Sequence, residues 1–539
     1  MDVSLSLVAG ALISYLTITT IYNLFLHPLA KVPGPLLARV SSLPSFYHAC
    51  KGDRHIWLWQ QFQIYGRRVR ATPGLVVFNH PDAFNTIYSF KSNVRKGNFY
   101  EVWARNENDH HTLSTTDKEQ HARKRRMLNL AFTDRSVKAS GTFMAKHIDR
   151  WHELLVQKTT PISQKTWSEP EDVAIWAAWL VFDVLGDLCF GVQFNSKEPA
   201  MENKFKNIPQ DFDAFFEFGY PLSRSPALDL IVWLKPRGLD RILEIVQPKS
   251  IKDYYHFVEE TVTKRINIER ERDTEKQSVE REDMFHFLYN ATDRDSGKPA
   301  FDRRSLLAES NLLVLAGSDT TAITISALFF YITHNERIYE KLVKEIRNTF
   351  SSAEEIVHCP TLLSSPYLRA CIDETLRMAH ILPSEPTRMI RKGGMEIDGQ
   401  FYPEGTLVGC PNWAMYRNEE FFGDATTFRP ERWIVSDHPD FTNTEEEVRR
   451  LKRGLNPFLK GPGDCVGQKM AILQLCMVVA RTLWRFDVRL APGTHKGEGR
   501  PELGWGRRDA RQYMLRDGYI GLREGPMVQF QLRRSQDPL

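Results

Sequence analysis

The chain has 539 residues, 42% of them hydrophobic and 26% charged, with a formal net charge of +4. Such a length buries a large core, and so mild a charge gives no argument for a nucleic-acid partner. Its seven cysteines are scattered, without a CxxC pair or a histidine at zinc spacing, which argues against a disulfide framework and for free thiols in a reducing compartment.

The N-terminus departs from the rest. "VSLSLVAGALISYLTITTIYNLFL", residues 3–26, contains no Asp, Glu, Lys or Arg, and its 24 residues suffice for one helical span of a bilayer. A cleaved signal peptide is the alternative. Asp2 ahead of the run and a weak cleavage pattern oppose it. Lys31 and Arg39 follow the span, which predicts a body on the cytoplasmic side. The next stretch, "HPLAKVPGPLLARV", carries Pro28, Pro33, Gly34 and Pro35 and cannot continue a helix. We therefore divide the chain into an anchor at 1–27, a proline-rich hinge at 28–36 and a body at 37–539. No repeat of 20–50 residues is present.

The body reads as mostly helical, with strand signals near 67–79 and after Arg388. Helical patterns cover about 117–135, 171–191, 250–272, 303–334, 335–350, 364–380 and 467–486. The charge-rich stretch 264–283 reads as solvated helix and loop. His110-His111 reads as loop rather than metal site, and no glycine-rich phosphate loop is found, so no flavin or nicotinamide site is expected.

The longest apolar helix has Asp302 as a plausible N-cap and "AGSDTT" (316–321) in its middle. A carboxylate there costs several kcal/mol unless it is paired or works near water. Gly317 weakens the helix by about 1 kcal/mol, and threonine hydroxyls can bond back and open a turn. Either this is a kink with a satisfied Asp319, or an acid–alcohol pair delivers protons beside a flat ligand that Gly317 lets approach. So many broken local rules favour function.

In "SSPYLRACIDETLRMAH" (364–380), Ser365-Pro366 starts a helix, and Glu374 and Arg377 share one face. Downstream, Arg432 of "FRPERW" could complete a Glu–Arg–Arg cluster. Between them Asp398-Gly399 marks a hairpin turn. Last comes "NPFLKGPGDCVGQKMA" (456–471). Gly461, Gly463 and Gly467 let the backbone turn N–H groups towards Cys465, a helix begins at about Gly467, and Phe458 can cover the sulfur. Alone, this loop reads equally as one buried, inert cysteine.

In order along nearly the whole chain, anchor, proline-rich hinge, "AGSDTT", "ETLR", "FRPERW" and "FLKGPGDCVG" resemble the cytochromes P450, the haem-thiolate monooxygenases. "HPLAKVPGP" and "YIGLREGPMVQFQLR" look most like membrane-bound fungal enzymes of secondary metabolism. The resemblance implies a mainly α cytochrome P450 fold with a small β region, preceded by a single transmembrane helix. It implies haem b with Cys465 as axial ligand, Asp319 and Thr320 as the proton-relaying pair, and Glu374, Arg377 and Arg432 as a structural cluster. His121 and Arg125 of "HARKRRMLNLAF", and Arg388 of "LPSEPTRMI", match propionate-binding positions. The family usually has Arg or His at Gly463, so one propionate contact is expected to be missing. Lys460, three residues earlier, is expected to face solvent.

Ala316, Thr320, Ile381 and Leu382 are expected to line an apolar substrate pocket, with the segments 97–112, 205–245 and 520–522 nearby. Lys460, Lys469, Arg123 and Lys124 could steer an acidic partner. The activity implied is oxygenation of a hydrophobic small molecule such as a terpenoid, polyketide or alkaloid intermediate. Electrons would come from NADPH through a separate cytochrome P450 reductase. The setting implied is the endoplasmic reticulum membrane, single-pass with a cytoplasmic body. A haem-thiolate isomerase or dehydratase without a redox partner, and a haem sensor or carrier, are the rival readings.

Overall fold

The computed structural model describes residues 2–106, 110–158, 166–199, 206–275, 283–293, 296–438 and 441–533. Residues 276–282 of the charge-rich stretch, and 107–109 and 205 of the expected pocket segments, lie outside these. The described chain is mostly helical, with small sheets at its edges.

Seven helices matter for the site: α1 (Asp2–Ile21), α2 (Lys118–Ala131), α3 (Val173–Phe190), α4 (Ile208–Arg224), α5 (Arg303–Thr333), α6 (Pro366–Met378) and α7 (Gln468–Arg485). Their ends follow the sequence chemistry. Asp117, Asp172 and Asp302 each accept backbone N–H groups at the starts of α2, α3 and α5, as N-caps do. Pro366 occupies the first turn of α6, where its missing N–H costs nothing. Glycine after α3 takes the left-handed C-cap at Gly191.

Among the described residues, three helical stretches are long and apolar enough to cross a membrane, 6–26, 173–190 and 303–333. Only the first is wholly unburied by the rest of the protein. The other two are core: α3 and α5 pack along each other, and Phe182, Val184, Ile325, Leu328 and Phe329 are sealed from solvent. Each such side chain contributes about 1.5–3 kcal/mol by leaving water.

Between α1 and the body the chain is bonded down. The Arg70 N–H donates to Pro33 O at 2.7 Å, and Arg70 Nη1 donates to Asn23 O at 2.7 Å. Arg39 Nη2 reaches Ala30 O at 2.8 Å. A Cβ on Gly34 would lie 2.5 Å from Arg70 O, so only glycine fits there.

A five-stranded sheet holds β1 (Arg68–Thr72), β2 (Leu75–Phe78), β3 (Val94–Lys96), β4 (Arg388–Ile390) and β5 (Leu407–Gly409) in the order β1-β2-β5-β4-β3. The hairpin foreseen at Asp398-Gly399 forms, with both turn residues at positive φ. A second hairpin, β6 (Arg516–Gly518) and β7 (Ile520–Leu522), touches α5 through β7 and α4 through β6.

Two expectations about α5 change. The helix runs unbroken through "AGSDTT", with Ser318 and Thr320 hydroxyls bonded back to Val314 O and Ala316 O without opening a turn. Gly317 does not face a ligand: its missing Cβ would sit 2.9 Å from Leu185 of α3. Close contact between two helices is what requires glycine there.

Candidate functional site

The cysteine loop is drawn tight by its own backbone. The Cys465 N–H donates to Phe458 O at 2.8 Å, and Gly461 to Gly463 form a short 3₁₀ turn. Gly461 has φ +68°, and a Cβ there would strike Tyr88 O at 2.2 Å. Gly467 caps α7, so the positive end of that helix lies two residues past the thiol. Phe458 is buried in the core, and its carbonyl accepts the Cys465 N–H.

The Cys465 side chain itself is exposed, whereas Cys189, Cys371, Cys410 and Cys476 are buried. Its recess is nevertheless enclosed: desolvation pushes the thiol up, while the Gly467 N–H and the Arg125 charge pull it down. A thiol so placed releases its proton on binding a metal cation.

Among the described residues, Ala316 is exposed and Thr320 half-buried on a stretch of α5 whose other positions are largely buried. Four apart, they share one face. Ile381 and Leu382 are half-buried and tied to the second hairpin by the Gly521 N–H bonding to Ile381 O at 2.9 Å. Trp103 stacks on Tyr519 of the same hairpin at 5.1 Å. Asp319, next to Thr320 on α5, is ion-paired with Arg523, which follows β7.

Of the three residues expected near the cofactor, His121 and Arg388 line one recess. Tyr88, Lys96, His121, Arg388, Lys460 and Gly463 help line a recess of about 60 Å³. Arg125 holds Asp464, the residue before Cys465. Lys96 was not foreseen. It stands directly opposite Arg388 across the β3–β4 ladder, and its Nζ donates to Thr112 O and Leu113 O at 2.8 Å each. Like charges facing each other across a ladder repel. Burial, then the Arg388 charge, drives the Lys96 ammonium well below its usual range. Burial, then Lys96, Arg388 and Arg125, holds His121 down at about 3. Such an arrangement is complete only with anions between the cations, and it fits the propionates of a haem.

Gly463 has a local reason. A Cβ there would lie 2.7 Å from Arg388 Nη2, so the Arg388 guanidinium fills the space that a side chain at 463 would need. Lys460, which also borders the recess, bonds to Asn85 at an exposed position.

The steering role foreseen for four basic residues is weakened. Arg123 pairs with Asp293 at 2.8 Å and Lys469 with Asp134 at 2.6 Å. Lys124 is largely buried beside Glu309 and His110 O. Lys460 bonds to the neutral side chain of Asn85. His111 is buried against Trp103 O, and no cluster able to hold a bare metal ion occurs among the described residues.

Behind the site, Glu374, Arg377 and Arg432 are fully buried together. Glu374 accepts from both guanidiniums, from the Arg429 N–H and from Trp433 Nε1, at 2.7–2.9 Å. The arrangement locks the segment 425–433 onto α6.

The sequence profile of the cytochrome P450 family matches residues 37–506. The chain is 30% identical over 516 residues to the cytochrome P450 monooxygenase poxM of Penicillium oxalicum, covering 96% of this chain and 92% of that one. It is 28% identical over 533 residues to the monooxygenase AKT7 of Alternaria alternata, covering 98% and 97%. It is 27% identical over 520 residues to the trichothecene C-15 hydroxylase of Fusarium sporotrichioides, covering 95% and 98%. The chain belongs to the cytochrome P450 family. It is a haem-dependent monooxygenase, similar to fungal enzymes of secondary metabolism.

Proposed function

We propose that the enzyme inserts one oxygen atom from O2 into a hydrophobic small molecule of fungal secondary metabolism, a terpenoid, polyketide or alkaloid intermediate. NADPH would supply electrons through a separate cytochrome P450 reductase. The observation that carries this reading is the pairing of an exposed thiol, Cys465, with cations opposed across a ladder, the half-buried Lys96 and the buried Arg388. When bound, haem b would supply the oxidising chemistry, with Cys465 as its thiolate ligand.

The chain's own residues have separate tasks. Lys96, His121, Arg125 and Arg388 would hold the propionates. Gly461 and Gly467 let the loop present the thiol, and Phe458 anchors it. Ala316, Ile381 and Leu382 give the substrate an apolar wall that excludes water. Thr320 Oγ1, now donating to Ala316 O at 2.7 Å, stands where it can pass a proton. Asp319 supplies that proton. An isomerase working without reductase has no use for such a pair, and this favours the monooxygenase.

Thr320→Ala is expected to leave haem binding intact while product formed per NADPH consumed falls by about tenfold or more. Unchanged coupling in a reconstituted reaction with reductase would remove Thr320 from the relay.

Lys96 supplies the positive charge that the sequence lacks at position 463. Losing one charge-assisted hydrogen bond costs about 1.5–3 kcal/mol, or roughly 10- to 150-fold in affinity. Lys96→Met should release haem to apomyoglobin faster by that factor. Gly463→Arg should not slow release, because its side chain must first displace Arg388. The reverse ranking would show that Gly463 is a real deficit.

The exposed apolar helix at 6–26 supports a single membrane span, with the body on the cytoplasmic face of the endoplasmic reticulum.

A further inference from the structure

A cavity of about 330 Å³ lies between α5 and the helix Lys249–Glu275, which packs against it. From α5 it is lined by Arg304, Leu307 and Asn311, which recur at helical spacing and so form one stripe. The facing helix contributes Tyr255, Val258 and Glu259, spaced in the same way. At about 3.6 residues per turn, the stripe on α5 lies roughly 120–180° round the helix from Ala316. The cavity is therefore on the side of α5 turned away from Ala316 and Thr320.

Its closed end is polar and unanswered. Asn311 is 7% exposed, and its Oδ1 is shut from solvent without a hydrogen-bond partner. A buried acceptor left unpaired is costly, and a ligand hydroxyl would remove that cost. At the other end Arg304 is exposed and has no ion pair among the described residues. The remaining charges at the rim are answered: Arg105 by Glu244 at 3.3 Å and Glu259 by Arg303 at 3.8 Å. Arg304 also belongs to the first turn of α5, where the helix dipole adds positive potential. The rim thus favours one anionic group. Between the two ends the walls are apolar or flat. Leu307 faces Val258, and the Arg105 guanidinium lies 4.7 Å over the Tyr255 ring. Planar groups stack well on such faces. Arg304 and Asn311 stand two helical turns apart, about 10 Å.

We infer that this cavity is a second ligand site, which takes a flat hydroxy acid. The carboxylate accepts from Arg304, the body lies along Leu307 and Tyr255, and the hydroxyl donates to Asn311 Oδ1. Such an occupant bridges α5 to the helix Lys249–Glu275 and, through Arg105, to the stretch after Trp103. Neither Cys465 nor the face at Ala316 takes part, so the site goes beyond the proposed oxygenation and does not depend on it.

The test is calorimetric titration of the full-length, haem-loaded enzyme in detergent with para-hydroxycinnamate, the iron being blocked throughout with phenylimidazole. The parent should saturate at a single site. Arg304→Gln should weaken binding by about tenfold or more, since a charge-assisted hydrogen bond is lost. That side chain is exposed, so the fold is not at stake. Asn311→Leu should also weaken binding and should erase the preference for para-hydroxycinnamate over cinnamate, which lacks the hydroxyl. An unaltered carbon-monoxide spectrum in both variants separates loss of the site from loss of the fold. No binding in the parent would mean that water alone fills the cavity, and would overturn the inference. Equal affinity in the parent and Arg304→Gln, or equal affinity of the parent for cinnamate, would do the same. Binding seen only without phenylimidazole would place the acid at the iron and would also overturn it. Because the readout needs neither reductase nor turnover, each of these failures leaves the monooxygenase reading standing.

Discussion

Cys465→Ser is expected to yield a folded protein without monooxygenase activity. The hydroxyl keeps the size of the thiol and the backbone bond to Phe458 O, so the loop and α7 should survive. What disappears is the thiolate. Losing an outer-shell partner of a metal ligand already costs roughly 10–100-fold, and losing the ligand itself should exceed that. The reduced, carbon-monoxide-bound parent should show the red-shifted Soret band of a thiolate haem, and the variant should not. A parent lacking that band would defeat the assignment of Cys465. Persistence of the band in the serine variant would move the ligand to another cysteine, although the buried Cys189, Cys371, Cys410 and Cys476 are poor candidates.

Glu374→Ala should have the largest effect on the fold. Arg377 and Arg432 are both completely buried, and Glu374 is the carboxylate that answers them. Breaking a buried pair by removing one partner costs about 3–5 kcal/mol, because an uncompensated charge remains inside. Here two remain, a large share of the 5–15 kcal/mol that typically holds a domain together. Soluble, haem-loaded yield and melting temperature should both drop sharply.

The same cluster has an acid signature. Burial alone would raise the Glu374 carboxyl, but Arg377 and Arg432 hold it down at about 2. Its contribution is therefore complete above the unfolded value of 4.5 and fades as the pH falls through about 2. Glu374→Gln should flatten the acid limb of a stability profile over that window. An unchanged limb would mean that another carboxylate controls it.

Much of this site was legible because its chemistry is written in short runs. Glu374 and Arg377 are one helical turn apart, Ala316 and Thr320 share a face by spacing, and the glycines around Cys465 lie within seven residues. Local rules suffice for such pairs. The unforeseen contacts join distant segments. Lys96 meets Arg388 only through the pairing of β3 with β4, and nothing in "VRKGNF" marks that lysine. Arg523 reaches Asp319 only because β7 rests on α5. The acid–alcohol motif was visible, but its counter-ion was not.

Several helices fall outside the patterns read from the sequence, and two of them carry a glycine in close tertiary contact. In α4, the helix continues through Gly219 and Pro221 to Arg224. Gly219 allows contact with Trp103, whose ring would lie 2.9 Å from a Cβ there. The helix Asp134–Lys158 contains Gly141, set closely against His358. In both cases tertiary contact overrides local propensity, as at Gly317.

The bonded segment between α1 and β1 bears on how the enzyme meets its electron donor. A glycine–serine tether would let the body swing freely beneath its anchor. Here Pro33, Asn23 and Ala30 are fastened to Arg70 and Arg39, and Gly34 leaves no slack against β1. With α1 seated in a bilayer, the heading of the body follows the tilt of the span. The remaining freedom is drift across the membrane and spin about its normal. A membrane-held partner would then search a plane rather than a volume, and would always approach the same side.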